Sequence, residues 1–315
     1  MSIIMPMRNA AIWVADCIDS IIQQFHHDWE LIVVDDFSTD GSMQVVLDIG
    51  RIDSRIKLYQ NEKIGIIGAL QLALNHATGT YVTRMDADDL MPADKLSLMV
   101  KELDREESGT IVTGLVQYFS QDEISKGYRK YEDWINEVNL NQLQYQNIYR
   151  ECVIASPNWM MHRNELVDLG AFSGLSYPED YDLVFKWYAA GFKFKTIPKI
   201  THLWREHPSR TSKVSSDYNQ RSFFDLKIHR FLQIHDKNDE LVIWGNNTKS
   251  KLTTAILDQH SRNYIQLSIN NYEEIANFSS PQLLIAVYPP AAQRKQIEAY
   301  LTEIDLLEGS DWWYL

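Results

Sequence analysis

The first 113 residues alternate short apolar runs with segments whose apolar residues recur every three or four positions. The apolar runs predict strands at residues 2–5, 30–34, 55–60, 80–85 and 110–113. The segments between them predict helices, because that spacing places the apolar side chains on one helical face. Strands and helices in strict alternation predict a parallel α/β sheet with helices packed on it.

Two acidic turns follow strands of this predicted sheet. Asp35 and Asp36 come directly after the second strand, and Asp86, Asp88 and Asp89 come after the fourth. In an open parallel sheet, ligands bind beyond the carboxyl ends of the strands. We therefore expect the two turns to lie at one edge of the sheet, where they can share a ligand.

The spacing of Asp86 and Asp88 turns both carboxylates to one side, because side chains alternate along an extended chain. Two converging carboxylates suit Mg²⁺ or Mn²⁺, with phosphate oxygens of a substrate completing the shell. The implied ligand is a nucleoside diphosphate. Taken alone, the same residues also fit a turn that caps the next helix, and capping is the role expected for Asp89.

Length and composition set the domain organisation. The chain has 315 residues, more than one domain usually contains, and 45% of them are apolar, so a sizeable core can form. A long connecting helix is predicted at residues 216–235, and a polar stretch follows it. We predict a large domain at residues 1–237, including that helix, and a small α/β domain at residues 238–315.

Charge, cysteines and hydropathy exclude several classes of protein. A formal charge of −13 disfavours nucleic acid and anionic membrane surfaces as partners. Cys17 and Cys152 are the only cysteines, which excludes a disulfide framework and predicts a reducing compartment. The N-terminus lacks the pattern of an export signal, and no apolar run reaches the roughly 18 residues of a spanning helix. We expect a cytoplasmic protein without a membrane span, either free or at the inner face of the membrane.

Several motifs, in order along the first two thirds of the chain, resemble the family 2 glycosyltransferases, enzymes of GT-A fold that transfer a sugar from a nucleotide diphosphate with inversion at the anomeric carbon. The motifs are residues 2–9, residues 31–42, Asn61 with Gly65, residues 86–89, residues 178–183 and residues 205–207. The resemblance implies a mixed, mostly parallel sheet between helices for the large domain. It implies a partial Rossmann-like fold for the small one.

The resemblance also assigns roles to residues. Asp36 would accept a hydrogen bond from the base, and Asp86 would hold the ribose. Asp88 and His207 would bind Mn²⁺ or Mg²⁺, with Asp86 as a third ligand. The other implied residues are Pro6, Arg8, Asn9, Asn61 and Arg84 for the nucleotide, and Arg205 and Ser212 for the diphosphate.

Asp180 is the implied general base, with Glu179 beside it, because inverting transfer needs a carboxylate that takes the proton of the acceptor hydroxyl. A simpler interpretation is that both acids only stabilise the N-terminus of a helix predicted at residues 180–190, an effect of about 0.3–1 kcal/mol. His207 likewise has a simpler interpretation, as a loop histidine hydrogen-bonded beside Pro208.

The sequence also departs from the family pattern. Arg8 stands where the family commonly has a tyrosine that stacks on the base; a guanidinium can stack too, so the base stays open, with uridine favoured. The Gln-x-x-Arg-Trp motif of processive synthases is absent, which favours transfer of a single sugar. Residues 117–157 show little periodicity and are expected to line an acceptor cleft.

The leading hypothesis is an inverting, metal-dependent glycosyltransferase of cell-envelope polysaccharide biosynthesis. Its donor would be a nucleotide-diphosphate sugar, with a UDP-sugar favoured, and its acceptor a glycan or lipid-linked glycan. A second hypothesis is a catalytically silent member that binds a nucleotide sugar or a partner protein. A third, the least favoured, is a phosphate-transferring hydrolase with an Asp-x-Asp nucleophile, which would need a free attacking acid.

The small domain has only one glycine in the turn at residues 245–250, where a dinucleotide fingerprint needs several. We therefore expect it to pack or to bind a partner, and it could join copies of the chain into an oligomer.

Overall fold

The computed structural model describes residues 1–174 and 177–315. Contacts divide them into two units: residues 1–144 with 153–210, and residues 145–152 with 211–315. The predicted boundary between residues 237 and 238 therefore differs from the observed one. Residues 211–237 belong with the tail, because the helix Gln220–Ile234 packs on the helix Thr248–Gln259 of the same unit.

The first unit is built on a mixed seven-stranded sheet. Its strands are β1 (Ser2–Met7), β2 (Glu30–Asp35), β3 (Ile56–Gln60), β4 (Tyr81–Arg84), β5 (Thr110–Phe119), β6 (Trp159–His162) and β7 (Lys193–Arg205). The strand order is β3-β2-β1-β4-β6-β5-β7. All pairs are parallel except those of β6, which is antiparallel to both β4 and β5. The predicted mixed, mostly parallel sheet is confirmed.

Helices alternate with these strands. They are α1 (Val14–Ile22), α2 (Ser42–Gly50), α3 (Ile66–His76), α4 (Lys95–Leu103), α5 (Lys126–Leu140), α6 (Arg163–Asp168) and α7 (Glu179–Ala189). Helix α5 and most of β7 lie where the sequence predicted no regular structure. Among the described residues, no helix is long and apolar enough to cross a membrane.

The position of β1 explains why the site residues meet. Its residues Ile3, Ile4 and Met5 are fully buried, as expected of a central strand covered on both faces. The Asp36 N–H donates to the Met7 carbonyl at 2.7 Å, which continues the β1–β2 ladder to the ends of both strands. The carboxyl ends of β1, β2 and β4 therefore share one edge of the sheet.

The second unit is a small parallel α/β unit. Its strands are β8 (Glu240–Trp244), β9 (Ile265–Leu267), β10 (Pro281–Ile285) and β11 (Trp312–Tyr314), in the order β11-β10-β8-β9. Its helices are α8 (Thr211–Val214), α9 (Gln220–Ile234), α10 (Thr248–Gln259) and α11 (Ala291–Glu303).

The long helix predicted at residues 216–235 is interrupted. Residues Ser216–Tyr218 form a 3₁₀ turn, and α9 begins after Asn219. The Asn219 side chain accepts a hydrogen bond from the Ser222 N–H, which caps a new helix.

Candidate active site

Asp36 organises the cluster at the ends of β2 and β3. It is 5% exposed, and its Oδ1 accepts hydrogen bonds from Asn61 Nδ2 at 2.7 Å and from the Gly65 N–H at 2.8 Å. Its Oδ2 lies 3.9 Å from a guanidinium nitrogen of the half-exposed Arg8. Gly65 has a φ of 132°, a conformation that disfavours any side chain. The structure thus brings three predicted nucleotide-binding residues together.

Asn9 fixes the loop beside this cluster. Its Oδ1 accepts from the Thr39 N–H at 2.8 Å, and its own N–H donates to Ser38 Oγ at 2.9 Å. These bonds join the loop after β1 to the turn after β2. Pro6 is buried within β1. Direct contact of Asn9 or Pro6 with a nucleotide stays a prediction.

Arg84, at the end of β4, links the acidic turn to helix α7. Its Nε donates to Asp86 Oδ1 at 2.7 Å, and its Nη1 donates to Glu179 Oε1 at 2.9 Å. The side chains of Arg84 and Glu179 are both buried. Breaking a buried ion pair leaves an uncompensated charge, so each partner holds the other in place.

Asp180 lies one residue after Glu179, in the first turn of α7. Its Oδ2 accepts a hydrogen bond from Ser156 Oγ at 2.8 Å, and its Oδ1 accepts from the Tyr181 N–H at 2.8 Å. Burial, with a further contribution from the Glu179 charge, raises the pKa of Asp180 to about 6. A carboxylate with that pKa is suited to accept a proton near neutral pH.

Asp88 and His207 meet at the same edge. Asp88 Oδ2 lies 2.9 Å from His207 Nε2, and the two residues are 119 positions apart in the chain. Trp13 stacks on the imidazole with a centroid distance of 3.9 Å. Arg205 Nε donates to the Asp88 carbonyl at 2.6 Å, so Arg205 holds the acidic turn by its backbone. The simpler interpretation, in which His207 is a loop residue hydrogen-bonded beside Pro208, does not account for these contacts.

The donor set at Asp88 and His207 fits a divalent cation that takes its remaining ligands from water and substrate. One carboxylate and one imidazole converge, and a mixed oxygen and nitrogen set suits Mn²⁺ better than Mg²⁺. In the described part of the chain, no three His, Cys, Asp or Glu side chains are grouped to hold a metal. Asp86, the predicted third ligand, is instead held by Arg84.

Asp89 does not cap the next helix, contrary to the prediction. Helix α4 begins after Asp94, and Asp89 is fully buried beneath the acidic turn. Its Oδ2 lies 2.9 Å from His202 Nε2, and its Oδ1 accepts from the Arg205 N–H at 2.7 Å. Burial raises the pKa of Asp89 and lowers the pKa of His202, which favours a neutral pair. Asp89 thus ties the turn to β7.

The sequence did not predict the burial of two cationic side chains near the turn. Lys95 is fully buried, donates to the Pro157 carbonyl at 2.7 Å, and has a pKa lowered to about 7 by burial. The guanidinium carbon of Arg210 lies 4.9 Å from the Trp204 ring centroid; burial opposes its charge, but Tyr118, Asp89 and Asp88 together raise its pKa. Sequence spacing carries no signal for either, because burial of a charged group depends on tertiary packing.

Ser212, the second residue predicted to bind the diphosphate, lies in α8 of the second unit. The diphosphate-binding role of Ser212 stays a prediction.

The first half of the chain matches a protein-family model. The model described as "Glycosyl transferase family 2" matches residues 2–170, which is more than half of the chain. The chain belongs to glycosyl transferase family 2. The matched region contains β1 to β6 and the acidic turn, so the resemblance drawn from the motifs is confirmed.

Curated relatives of this family 2 chain include bacterial glycosyltransferases. It is 41% identical over 96 residues to the putative teichuronic acid biosynthesis glycosyltransferase TuaG of Bacillus subtilis. It is 41% identical over 100 residues to the Escherichia coli UDP-Glc:alpha-D-GlcNAc-diphosphoundecaprenol beta-1,3-glucosyltransferase WfgD. These alignments cover 30% and 31% of the chain, and 38% and 39% of the relatives. The chain therefore spans about two fifths of each relative's length.

A longer alignment joins the chain to an uncharacterized glycosyltransferase of Haemophilus influenzae, with 26% identity over 230 residues, 68% of this chain and 67% of the relative. Among solved structures, S. aureus TarS 1-349 in complex with UDP-GlcNAc superposes with a TM-score of 0.58 and 16% identity. That match covers 96% of this chain and 80% of the TarS chain. The likeness confirms the GT-A fold.

Proposed function

We propose that the chain is an inverting, divalent-metal-dependent glycosyltransferase that moves one sugar from a UDP-sugar to a hydroxyl of a glycan or lipid-linked glycan. The observation that carries this proposal is the environment of Asp180. It is a carboxylate of raised pKa, joined through Glu179 and Arg84 to the acidic turn at the carboxyl edge of the sheet.

Asp180 is the general base of the proposed reaction. As the acceptor oxygen attacks the anomeric carbon, Asp180 takes the hydroxyl proton, and the bond to the nucleoside diphosphate breaks. The Ser156 hydroxyl, which donates to Asp180 Oδ2, holds the carboxylate in one orientation. The chain of contacts from Glu179 through Arg84 to Asp86 fixes the base relative to the donor site.

The cluster of Asp36, Asn61 and Arg8 holds the nucleoside in this proposal. One oxygen of Asp36 is used by Asn61 and Gly65, which leaves the other oxygen to accept from the base. The guanidinium of Arg8 can stack on the base. Support for UDP comes from TarS, a structural neighbour solved with UDP-GlcNAc and with UDP, and from the name of WfgD.

Asp88 and His207 would hold the metal ion, for which Mn²⁺ fits the mixed donor set better than Mg²⁺. When bound, the ion would act as a Lewis acid that stabilises negative charge on the departing diphosphate. Arg205 adds a positive charge beside the acidic turn, where its Nε already bonds the Asp88 carbonyl.

A groove of about 780 Å³ between the end of β5 and α5 is the proposed acceptor site. Its volume lies in the usual range for small-molecule pockets. The Phe119 ring lines this groove and lies 4.6 Å from the Arg205 guanidinium carbon. Because Arg205 also bonds the acidic turn, an acceptor in the groove would lie close to the donor. The lining residues fall within residues 117–133, part of the segment expected to bind the acceptor.

Thermal unfolding with nucleotides and metal ions tests the donor site. UDP with Mn²⁺ should stabilise the protein by about 2.7 kcal/mol at 100 times its dissociation constant, and GDP or ADP should stabilise it less. Asp88→Asn should lose the Mn²⁺-dependent part of this stabilisation. Asp94→Asn is the matched control, because among the described residues the Asp94 carboxylate pairs only with the exposed Lys199. No stabilisation by any nucleotide would favour the catalytically silent alternative.

A second experiment tests the general base separately. Asp180→Asn should still be stabilised by UDP with Mn²⁺, but its turnover should fall by about 10²–10⁴-fold. Full turnover by that variant would refute the role of Asp180 and leave the donor site intact.

A further inference from the structure

Two arginines of the second unit converge on one aromatic ring. The guanidinium carbons of Arg150 and Arg294 lie 3.8 Å and 4.0 Å from the ring centroid of Tyr288. Among the described residues, no carboxylate oxygen lies within 4.0 Å of the Arg294 guanidinium. Burial and, to a smaller extent, the Arg294 charge lower the pKa of Arg150, and a bound anion would relieve this repulsion between like charges.

Two lysines extend the positive charge. Lys249 Nζ donates to the Leu315 carbonyl at 2.6 Å, and Lys227 Nζ donates to the Arg150 carbonyl at 2.8 Å. Burial lowers the pKa of both lysines; the neighbouring Arg150 lowers that of Lys249 further, and Lys249 lowers that of Lys227. Four basic side chains therefore lie near one another in a chain whose formal charge is −13.

Three acids lie near this basic cluster, the third being Glu308 beside Glu298 and Tyr314. Glu151 lies near Lys227, Lys249 and Arg150 and favours their charged forms. Glu298 accepts from the Tyr314 hydroxyl at 3.4 Å, close to Arg294. These acids offset part of the positive charge of the cluster.

The cluster lies where parallel sheets bind ligands. In the order β11-β10-β8-β9, the connection through α10 leads from β8 to one side, and the connection through α11 leads from β10 to the other. The crevice beyond the carboxyl ends of β8 and β10 is thus a topological switch point. Lys249 is in the first turn of α10, and Tyr288 follows the end of β10.

The first turn of α11 lies close to Tyr288, because the helix begins three residues after it. The cap residue Pro290 makes no side-chain hydrogen bond to the helix. Ala291 and Ala292 are small and exposed, so an anion can approach the unpaired N–H groups of the first turn. Arg294 follows two residues after Ala292.

We propose that Arg150, Lys249, Arg294 and the first turn of α11 form a phosphate site, separate from the donor site. The ligand is the phosphate group of a soluble phosphate or phosphate ester. Guanidinium groups bind phosphate through paired hydrogen bonds, and the helix N-terminus adds N–H donors. Both arginines lie over the Tyr288 ring, so a nucleobase would have to displace one of them to stack on it. The single glycine of the β8–α10 turn agrees with this proposal, because the phosphate would be bound by cationic side chains and not by the backbone of a glycine-rich loop.

Calorimetric titration of the full chain with inorganic phosphate, in the presence of EDTA, tests this site. The double variant Lys249→Gln with Arg294→Gln should bind phosphate about tenfold or more weakly. Lys295→Gln removes an exposed charge from the neighbouring position on α11 and should bind like the unmodified chain. Asp88→Asn, which affects only the donor site, should also bind phosphate normally. Equal phosphate binding by the double variant would overturn the proposal.

Hydrogen exchange gives a second measurement that does not depend on a variant folding. Phosphate should protect amides in residues 245–251 and 288–294 of the unmodified chain. Protection confined to residues 84–90 and 203–208 would place the anion at the donor site and refute the proposal. Glucose 1-phosphate tests the source of the ligand: tighter binding than phosphate indicates an ester, and equal binding indicates free phosphate.

Discussion

Glu179 should control the acidic limb of the pH–rate profile through Asp180. In the unmodified enzyme, kcat/KM should fall as the pH drops through about 6, because a protonated Asp180 cannot accept the acceptor proton. Removing the Glu179 charge by Glu179→Gln should favour the ionised form of Asp180. The acidic limb should therefore move to lower pH.

The size of this shift follows from the environment of Asp180. Its pKa rises from an ordinary 3.8 to about 6, with burial as the larger cause and Glu179 as the second. Burial is unchanged in Glu179→Gln, so the limb should move down by about one pH unit, equal to about 1.4 kcal/mol. The glutamine oxygen can still accept from Arg84, which keeps the buried contact.

Ser156→Ala provides a control of opposite sign. The Ser156 hydroxyl donates to Asp180 and stabilises its ionised form, so its loss should move the acidic limb to higher pH. Both profiles are measured as kcat/KM between pH 4.5 and 8, at saturating Mn²⁺, with the melting temperature of each variant recorded. Shifts of the same sign in the two variants would refute Asp180 as the titrating base.

Two further predictions concern the residues beneath the acidic turn. The pKa of Lys95 is about 7 in the folded chain and 10.5 in the unfolded chain, so between these pH values only the unfolded chain binds the proton. The free energy of unfolding should therefore rise with pH across that window, by up to about 1.4 kcal/mol per pH unit. Urea unfolding at pH 7 and 9 should show a smaller rise in Lys95→Met; an equal rise would contradict the assignment. Asp89→Asn still accepts from the Arg205 N–H, so Asp89→Ala should be less stable than Asp89→Asn by about 1–3 kcal/mol in urea at pH 7. Equal stabilities would show that Asp89 does not tie the turn to β7.

The sequence predicted the first half of the large unit well because its strands are buried on both faces. Such strands are continuous apolar runs, as in β1 and β2, and their ends differ from the prediction by only one or two residues. Helix α5 was missed because it fully buries only Ile135, Val138 and Asn139, while its aromatic side chains Tyr128, Tyr131 and Trp134 are only partly buried. Strand β7 was missed because it contains Pro198 and several lysines and is irregularly paired with β5.

The motif resemblance predicted residues that meet at one edge of the sheet. It did not predict most of their hydrogen-bond partners, because those depend on tertiary packing. The contact between Asp88 and His207 was expected from the family, although 119 positions separate them. The pairing of Asp89 with His202 was not, because both look like ordinary polar residues until burial is known. The sequence also did not predict that Arg84 links Asp86 to Glu179. Arg84 was expected to contact the nucleotide instead.

The double contact of Arg84 limits how this protein can be recombined with its relatives. A chimera that takes its acidic turn from another family member would face Glu179 with a foreign neighbour at position 84. Unless that neighbour is also a cation, the buried Glu179 in the first turn of α7 would lose its ion pair with position 84. The end of β4 and the start of α7, 95 residues apart in the chain, should therefore be exchanged as one cassette.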